Sequence, residues 1–422
     1  MMPSSLESQK SRLFDALFQA YEGPAFAIRL WDGWQWNSRP DAPPVFTLVM
    51  ASPGALASLA GGVDEVALGE AFIQREIDVE GDLFSVFSVA EFLLNRPGGW
   101  KQQALSLLSC FAAGSRRWFR NGALHSLKRD RSSIAYHYDQ PVEFFRPWLG
   151  PSLVYSCAYF RHPGESLDSA QTEKLEMICR KLRLQPGERF LDIGCGWGSL
   201  LLHAAAHHGA LAHGITLSER QAEIAARRIE EAALNGACTT ELRDYRRTGD
   251  LYGSFDKIAS IGMFEHVGLK NLRQYFTTAR SLLRPGGVFL NHGIARASLA
   301  PVRQSSFIDR YVFPDGRLVT LAQALAAAES AGLEVRDVEN LREHYELTLR
   351  HWVQGLQSNS STLRNYVSET TYRIWLLYMA GSAASFRRGD IAVYQVLLSR
   401  PDRGQSGLPL LRDDWYAARN PA

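Results

Sequence analysis

Apolar and polar positions fall into two regimes along the chain. In the first, short elements of different period follow one another. Residues 9–20 read as a short amphipathic helix. AFAIRLWDGWQW (25–36) reads as a β-hairpin, with Asp32-Gly33 supplying the positive φ of a tight turn. VFTLVMAS (45–52) is a further strand, and Pro53 opens a helix at PGALASLA. LGEAFIQREIDVEGDLFSVFSVAEFLL (68–94) reads as continuation into one longer helix. The pattern predicts a small α+β unit over residues 1–112.

From about residue 170 strand and helix alternate. RFLDIG (189–194) is a buried strand followed by the helix SLLLHAAAHH. ALAHGITL (210–217) precedes the helix SERQAEIAARRIEEAALNG, with Ser218 as N-cap and Gly236 as C-cap. FDKIASIG (255–262) precedes the helix LKNLRQYFTTARSLL, ended by Pro285-Gly286-Gly287, and VFLNHGI is the next strand. Such a βαβ series predicts an α/β fold with an open, mainly parallel, Rossmann-like sheet and ligands at the carboxyl ends of its strands. The sheet belongs to a second domain, residues 134–422.

Between the two, residues 113–133 form a linker. Six basic residues (Arg116, Arg117, Arg120, Lys128, Arg129, Arg131) stand there against one acid, Asp130. A solvated tether and a patch for an anionic membrane surface both fit this charge run. No nucleic-acid motif accompanies it, and a formal charge of +2 over 422 residues does not point to nucleic acid. Hydrophobic residues at 46% and charged residues at 21% are those of a globular enzyme. The N-terminus lacks the basic start and apolar core of a signal peptide, and no apolar run is long enough to cross a bilayer. Five cysteines without a CxxC pair suggest reduced thiols and a cytoplasmic location.

The candidate chemistry begins at LDIGCGWG. Gly194, Gly196 and Gly198 remove side chains where backbone approaches a ligand and helix packs on strand. The spacing alone leaves a dinucleotide, S-adenosylmethionine (SAM) and a tight turn open. The GxGxxG fingerprint is not met, because position 199 is Ser. Asp192 suits the amino-acid end of a zwitterion such as methionine. The next strand ends in Thr216-Leu217-Ser218 with Gln221 a turn on, where a dinucleotide enzyme usually shows a ribose carboxylate. Thr216 and Gln221 can hydrogen-bond a ribose or adenine edge, and Asp244-Tyr245 can hold adenine. Taken singly these are turn and cap residues; taken in order they favour SAM. His203, His207 and His208 have helical spacing, but no further ligand is spaced to join them. They read as surface histidines, with no metal site expected.

The flanking motifs go further. YSCAYF (155–160), AQTEKL (170–175), LDIGCGWGSL (191–200), GITLSERQ (214–221), RDYR (243–246), IGMFEHVG (261–268), NHGI (291–294), FIDRYVFPDG (307–316) and HYELTL (344–349) occur in one order. This series resembles the cyclopropane-fatty-acyl-phospholipid synthase family, which includes the mycolic acid methyltransferases, over roughly residues 130–400. The resemblance implies a class I SAM-dependent methyltransferase domain and a reaction at the cis double bond of an unsaturated phospholipid acyl chain, giving a cyclopropane ring. It implies bicarbonate as the base, held by Cys157, Glu265, His292, Ile294 and Tyr345. It also places Tyr155, Ser156 and Leu217 with the SAM residues. Peripheral contact with the inner face of the cytoplasmic membrane fits the basic linker, and a homodimer is compatible with the resemblance although no interface is legible.

Three stretches depart from the family pattern. HYDQPVEFF (137–145) lacks the usual Gly-Asn pair, Phe160 replaces a common Trp, and LVT (318–320) stands where Leu-Pro-Ser is usual. They lie near the expected pocket mouths and leave the bicarbonate residues intact. They therefore open the product rather than the mechanism: a methyl- or methylene-branched chain needs the same first step. A lipid-binding relative without activity is disfavoured by the intact cluster.

Overall fold

A computed structural model of the protein describes residues 5–55, 65–95, 140–297, 307–313 and 318–416. The basic linker lies outside these residues. The chain divides into two compact units.

The smaller unit is a four-stranded sheet, β1 (Phe26–Arg29), β2 (Gln35–Asn37), β3 (Phe46–Met50) and β4 (Ile77–Gly81), in the order β2-β1-β3-β4. Helices α1 (Ser5–Phe18), α2 (Glu65–Ile73) and α3 (Val86–Asn95) belong with it. The β1–β2 hairpin forms as its sequence predicts, with Gly33 at φ +84°. The single long helix expected over 68–94 does not form. Arg75 takes a positive φ of 63°, and IDVEG then pairs antiparallel with β3, Ile77 opposite Met50 and Gly81 opposite Phe46. Cross-strand pairing outweighs the helical preference of the flanking apolar runs. Two segments distant in sequence complete this unit. In the short helix Phe307–Tyr311, Tyr311 donates to Glu70 at 2.7 Å. In the helix that starts at Glu369, buried Arg373 donates to the carbonyl of Phe72 at 2.7 Å and to Asp78 at 3.1 Å.

The larger unit is a seven-stranded sheet of β5 (Arg189–Ile193), β6 (Leu211–Thr216), β7 (Cys238–Leu242), β8 (Phe255–Ile261), β9 (Leu283–Arg296), β10 (Glu334–Asn340) and β11 (Ile391–Ser399). Their order is β10-β11-β9-β8-β5-β6-β7, parallel from β9 to β7 and antiparallel at β10 and β11. Side chains alternate along each strand, so each face carries its own apolar layer. Phe190, Val288, Leu290 and Leu397 pack with α4 (Leu167–Leu182) and α5 (Ser199–His208). Leu191, Ile258, Phe289 and Val396 pack with α6 (Leu272–Leu282) and α7 (Leu321–Ser330). Strand order reverses direction at β5, which puts the topological switch point at the glycine loop. Two expected helix ends shift. The helix after Ser218 stops at Glu231, before Gly236, with Ala233 at φ +55°. Helix α6 stops at Leu282 because Leu283 already pairs with Phe255 in β9, ahead of Pro285.

Candidate active site

The glycine loop joins β5 to α5. Gly194, Gly196 and Gly198 all have left-handed φ, +84°, +54° and +82°, and for different reasons. A Cβ on Gly198 would stand 3.1 Å from that of Ala225, so this residue lets two helices meet. A Cβ on Gly196 would meet nothing within 4 Å; Gly196 faces a cavity. The cavity is lined by Tyr155, Ser156, Asp192, Gly194, Gly196, Thr216, Leu217, Gln221 and Tyr245, among others. Nine of the eleven residues expected around SAM thus meet at one place, the carboxyl ends of β5, β6 and β8. Gly198 and Asp244 do not line it. The Asp244 carboxylate is held by Arg246 at 2.7 Å, and it is Arg246 that reaches the cavity.

Polar groups in the cavity are deeply buried. Asp192 sits on β5 with its Oδ1 buried and unpaired among the described residues. Burial raises its pKa to about 7, against the lowering effect of Lys174. Lys174 on α4 also lines the cavity and donates to Ser156 Oγ at 3.0 Å. Burial lowers its pKa to about 8. Gln171 holds the same segment by donating to the carbonyl of Ser156 at 2.9 Å. Thr216 spends its hydroxyl on Gln221 Oε1 at 3.0 Å, which aims the Gln221 amide nitrogen away from Thr216. Lys174, Trp197 and Arg246 are lining residues that the sequence reading did not single out. The first is one letter of the AQTEKL motif, and a lysine without a visible partner gives no signal by itself.

Of the residues expected to hold bicarbonate, β9 carries His292 and Ile294 and the turn after β8 carries Glu265, while Cys157 and Tyr345 come from other segments. Glu265 Oε1 accepts the backbone N–H of Ile294 at 2.7 Å, so that N–H is engaged by the carboxylate. Glu265 Oε2 is buried without a partner among the described residues, and burial raises its pKa to about 7. His292 is two residues before Ile294 and shares its face of the sheet. Its Nε2 is likewise buried and unpartnered among the described residues, while its Nδ1 lies 3.2 Å from Gln395 Nε2. Burial, then the positive charges of Lys174 and Lys181, hold its pKa well below the ordinary value, so His292 is neutral. Cys157 is fully buried, its Sγ 3.2 Å from the carbonyl of Ala158. Burial pushes its thiol pKa up, so it stays protonated. Tyr345, on α8 (Arg342–Ser358), packs its ring against Phe386 at 4.7 Å and Trp352 at 6.0 Å.

Two of the three histidines of α5 depart from the surface reading, while His207 is exposed as expected. His203 is buried, and both His203 and His208 meet Glu176 Oε2, at 3.1 and 3.2 Å. Burial alone would raise the Glu176 pKa; hydrogen bonds from Arg180 and His203 hold it down at about 2. Cys179 Sγ and the two imidazoles lie within 4.8 Å of one another. A carboxylate and a thiol do therefore join the histidines. They come from α4, a neighbour in space that helical spacing along α5 does not reveal.

A mainly parallel sheet reversing at a glycine loop, with a cavity at the strand ends that buries a few polar groups, is the arrangement of a class I SAM-dependent methyltransferase. The solved structure of mycolic acid cyclopropane synthase CmaA1 complexed with SAH and CTAB matches it with TM-score 0.60 and 32% identity, over 64% of this chain and 97% of that one. A family model described as mycolic acid cyclopropane synthetase matches residues 125–396, and the chain belongs to that family. It is 39% identical to a probable fatty acid methyltransferase of Pseudomonas putida, over 92% of this chain and 95% of that protein. It is 38% identical to the cyclopropane-fatty-acyl-phospholipid synthase of Escherichia coli K12, over 66% of this chain and 70% of that one.

Proposed function

We propose that the protein adds a methylene group across the cis double bond of an unsaturated phospholipid acyl chain, forming a cyclopropane ring, with bicarbonate as the base. The observation that carries this reading, beside the family, is the pair of atoms Glu265 Oε2 and His292 Nε2, buried and without a partner among the described residues. Leaving such atoms unsatisfied costs roughly 1–3 kcal/mol each, which an anion between them would recover. When bound, SAM supplies an electrophilic methyl group. Asp192, Ser156 and Lys174 suit its charged amino-acid end, and Thr216, Gln221 and Tyr245 suit the ribose and adenine. The alkene would take the methyl carbon as its bond to the SAM sulfur breaks, S-adenosylhomocysteine leaving with that electron pair and a cation remaining on the neighbouring chain carbon. Loss of a proton from the added carbon closes the ring. Bicarbonate held by Glu265 and His292 supplies the base. A thiol kept protonated at Cys157 is a poor nucleophile, so it does not quench the cation.

A second reading is favoured by a specific likeness: the Pseudomonas putida relative, matched over most of both chains, is named a probable fatty acid methyltransferase. The same first step then ends in a branched chain: loss of a proton from a chain carbon leaves a methyl-branched alkene, and a 1,2-hydride shift followed by loss of a methyl proton leaves a methylene branch. Incubating the protein with SAM and vesicles of unsaturated phospholipid, followed by mass spectrometry of the fatty acids, separates the two. A gain of one CH2 that survives hydrogenation without taking up hydrogen supports the ring. A product that takes up hydrogen supports a branched, still unsaturated chain, and no mass change with any unsaturated lipid refutes both. No described helix is long and apolar enough to cross a membrane. The basic residues of 113–133 are our proposed contact with anionic lipid.

A further inference from the structure

We infer that Lys181 and Gln395 lock His292 in the tautomer protonated at Nε2, so that it offers the anion site a hydrogen-bond donor and never a proton acceptor. Lys181, on α4, is 1% exposed and ion-paired with Glu339. Its Nζ lies 2.6 Å from the Gln395 side-chain amide. An ammonium has donors only, so the amide must face it with its oxygen. The amide nitrogen then faces the other way, to His292 Nδ1 at 3.2 Å. That nitrogen also has donors only, so Nδ1 must accept, and the one proton of a neutral imidazole is left on Nε2. The opposite tautomer would set two N–H groups against each other in a buried place.

The fold makes this arrangement rigid. His292 and Gln395 stand directly opposite in the antiparallel β9–β11 ladder, where side chains on one face are neighbours. Tyr159 holds the far end by donating to Glu339 at 3.1 Å. Lys181, Glu339 and Gln395 touch no reacting atom; they are positioning residues. The inference deepens the proposed function and rests on it for one point only, that an anion is what His292 Nε2 meets. Given that point, proton removal falls to the anion and not to the imidazole.

The test uses the full chain labelled with 15N-histidine and long-range 1H–15N spectra, with His292 assigned by its loss in His292→Gln. Wild type should show the Nε2–H pattern. Gln395→Glu is isosteric and keeps the Lys181 contact, but its carboxylate only accepts, so Nδ1 must donate and the tautomer inverts. SAM affinity should stay within about threefold, while kcat falls about 100-fold or more; a wrong tautomer costs on the order of 10⁴ in the serine protease triad. Gln395→Leu, which removes the donor without inverting it, should give mixed tautomers and a smaller loss. An Nδ1–H or doubly protonated His292 in wild type overturns the lock, as does Gln395→Glu that keeps Nε2–H or near-normal kcat. An Nε2–H signature in an enzyme indifferent to bicarbonate leaves the lock standing and removes the anion reading instead.

Discussion

The cofactor cavity and the Glu265–His292 cluster lie in the same unit but are built differently. At the cavity, backbone does most of the positioning: three left-handed glycines turn the chain from β5 into α5, and the N–H groups of Gly194 and Cys195 bond to the Ile215 carbonyl at 2.9 and 3.1 Å. At the cluster, side chains hold side chains, from Glu339 through Lys181 and Gln395 to His292. A backbone-built turn does not tolerate changes of shape. A side-chain network tolerates neither loss of a partner nor exchange of a donor for an acceptor. The two should therefore fail in separable ways.

The largest expected separation is at Glu265. Glu265→Ala should lower turnover at least 1,000-fold, which is about 4 kcal/mol of barrier, while SAM affinity by calorimetry stays within about threefold. Parallel loss of SAM binding would merge the two regions. Next comes the loop. Gly198→Val forces a β-branched residue to φ +82° and against Ala225, which should cost about 2–4 kcal/mol of stability in denaturant titration. Gly196→Asn, in a conformation Asn tolerates and facing open cavity, should cost under about 1 kcal/mol but weaken SAM binding. If the two variants destabilise equally, the division of labour within the loop is wrong.

A smaller effect is expected at Lys174. Lys174→Met removes the positive charge beside Asp192, whose pKa should rise above about 7. SAM affinity at pH 7 should drop about tenfold, one pKa unit being about 1.4 kcal/mol, and recover as pH rises. The smallest is a slope. Asp192 and Glu265 both have folded pKa values raised to about 7 by burial. Below their unfolded values both states are protonated and these groups cost nothing. As pH rises towards 7 the unfolded chain releases protons that the folded one keeps, so stability falls. Without SAM, the Tm of Glu265→Gln relative to wild type should therefore rise between about pH 4.5 and 7, the buried histidines, whose lowered pKa values tilt both profiles the other way, cancelling in the comparison. A difference that does not change with pH would mean that Glu265 is not held protonated.

The same contrast explains what could be read from the letters. The loop and the strands around it are local patterns, and nine of eleven expected cofactor residues fall on one cavity because the strand order dictates it. Glu265, His292 and Cys157 were legible through family motifs, not through spacing. Gln395 and Lys181 were not legible at all: they lie 103 and 111 residues from His292, and only the sheet register and α4 bring them to it. Glu176 joins His203 and His208 for the same reason, from across a helix pair. Strand β4 was hidden inside apolar runs of helical character and needed β3 as a partner to appear.

The central claim is that the cluster around Glu265 and His292 holds a bicarbonate that acts as the base. Turnover on unsaturated phospholipid vesicles, measured in buffer freed of carbon dioxide and again after bicarbonate is restored, tests it most directly. Turnover should collapse on depletion and return with bicarbonate while SAM affinity does not move. Turnover unchanged by thorough depletion would contradict it.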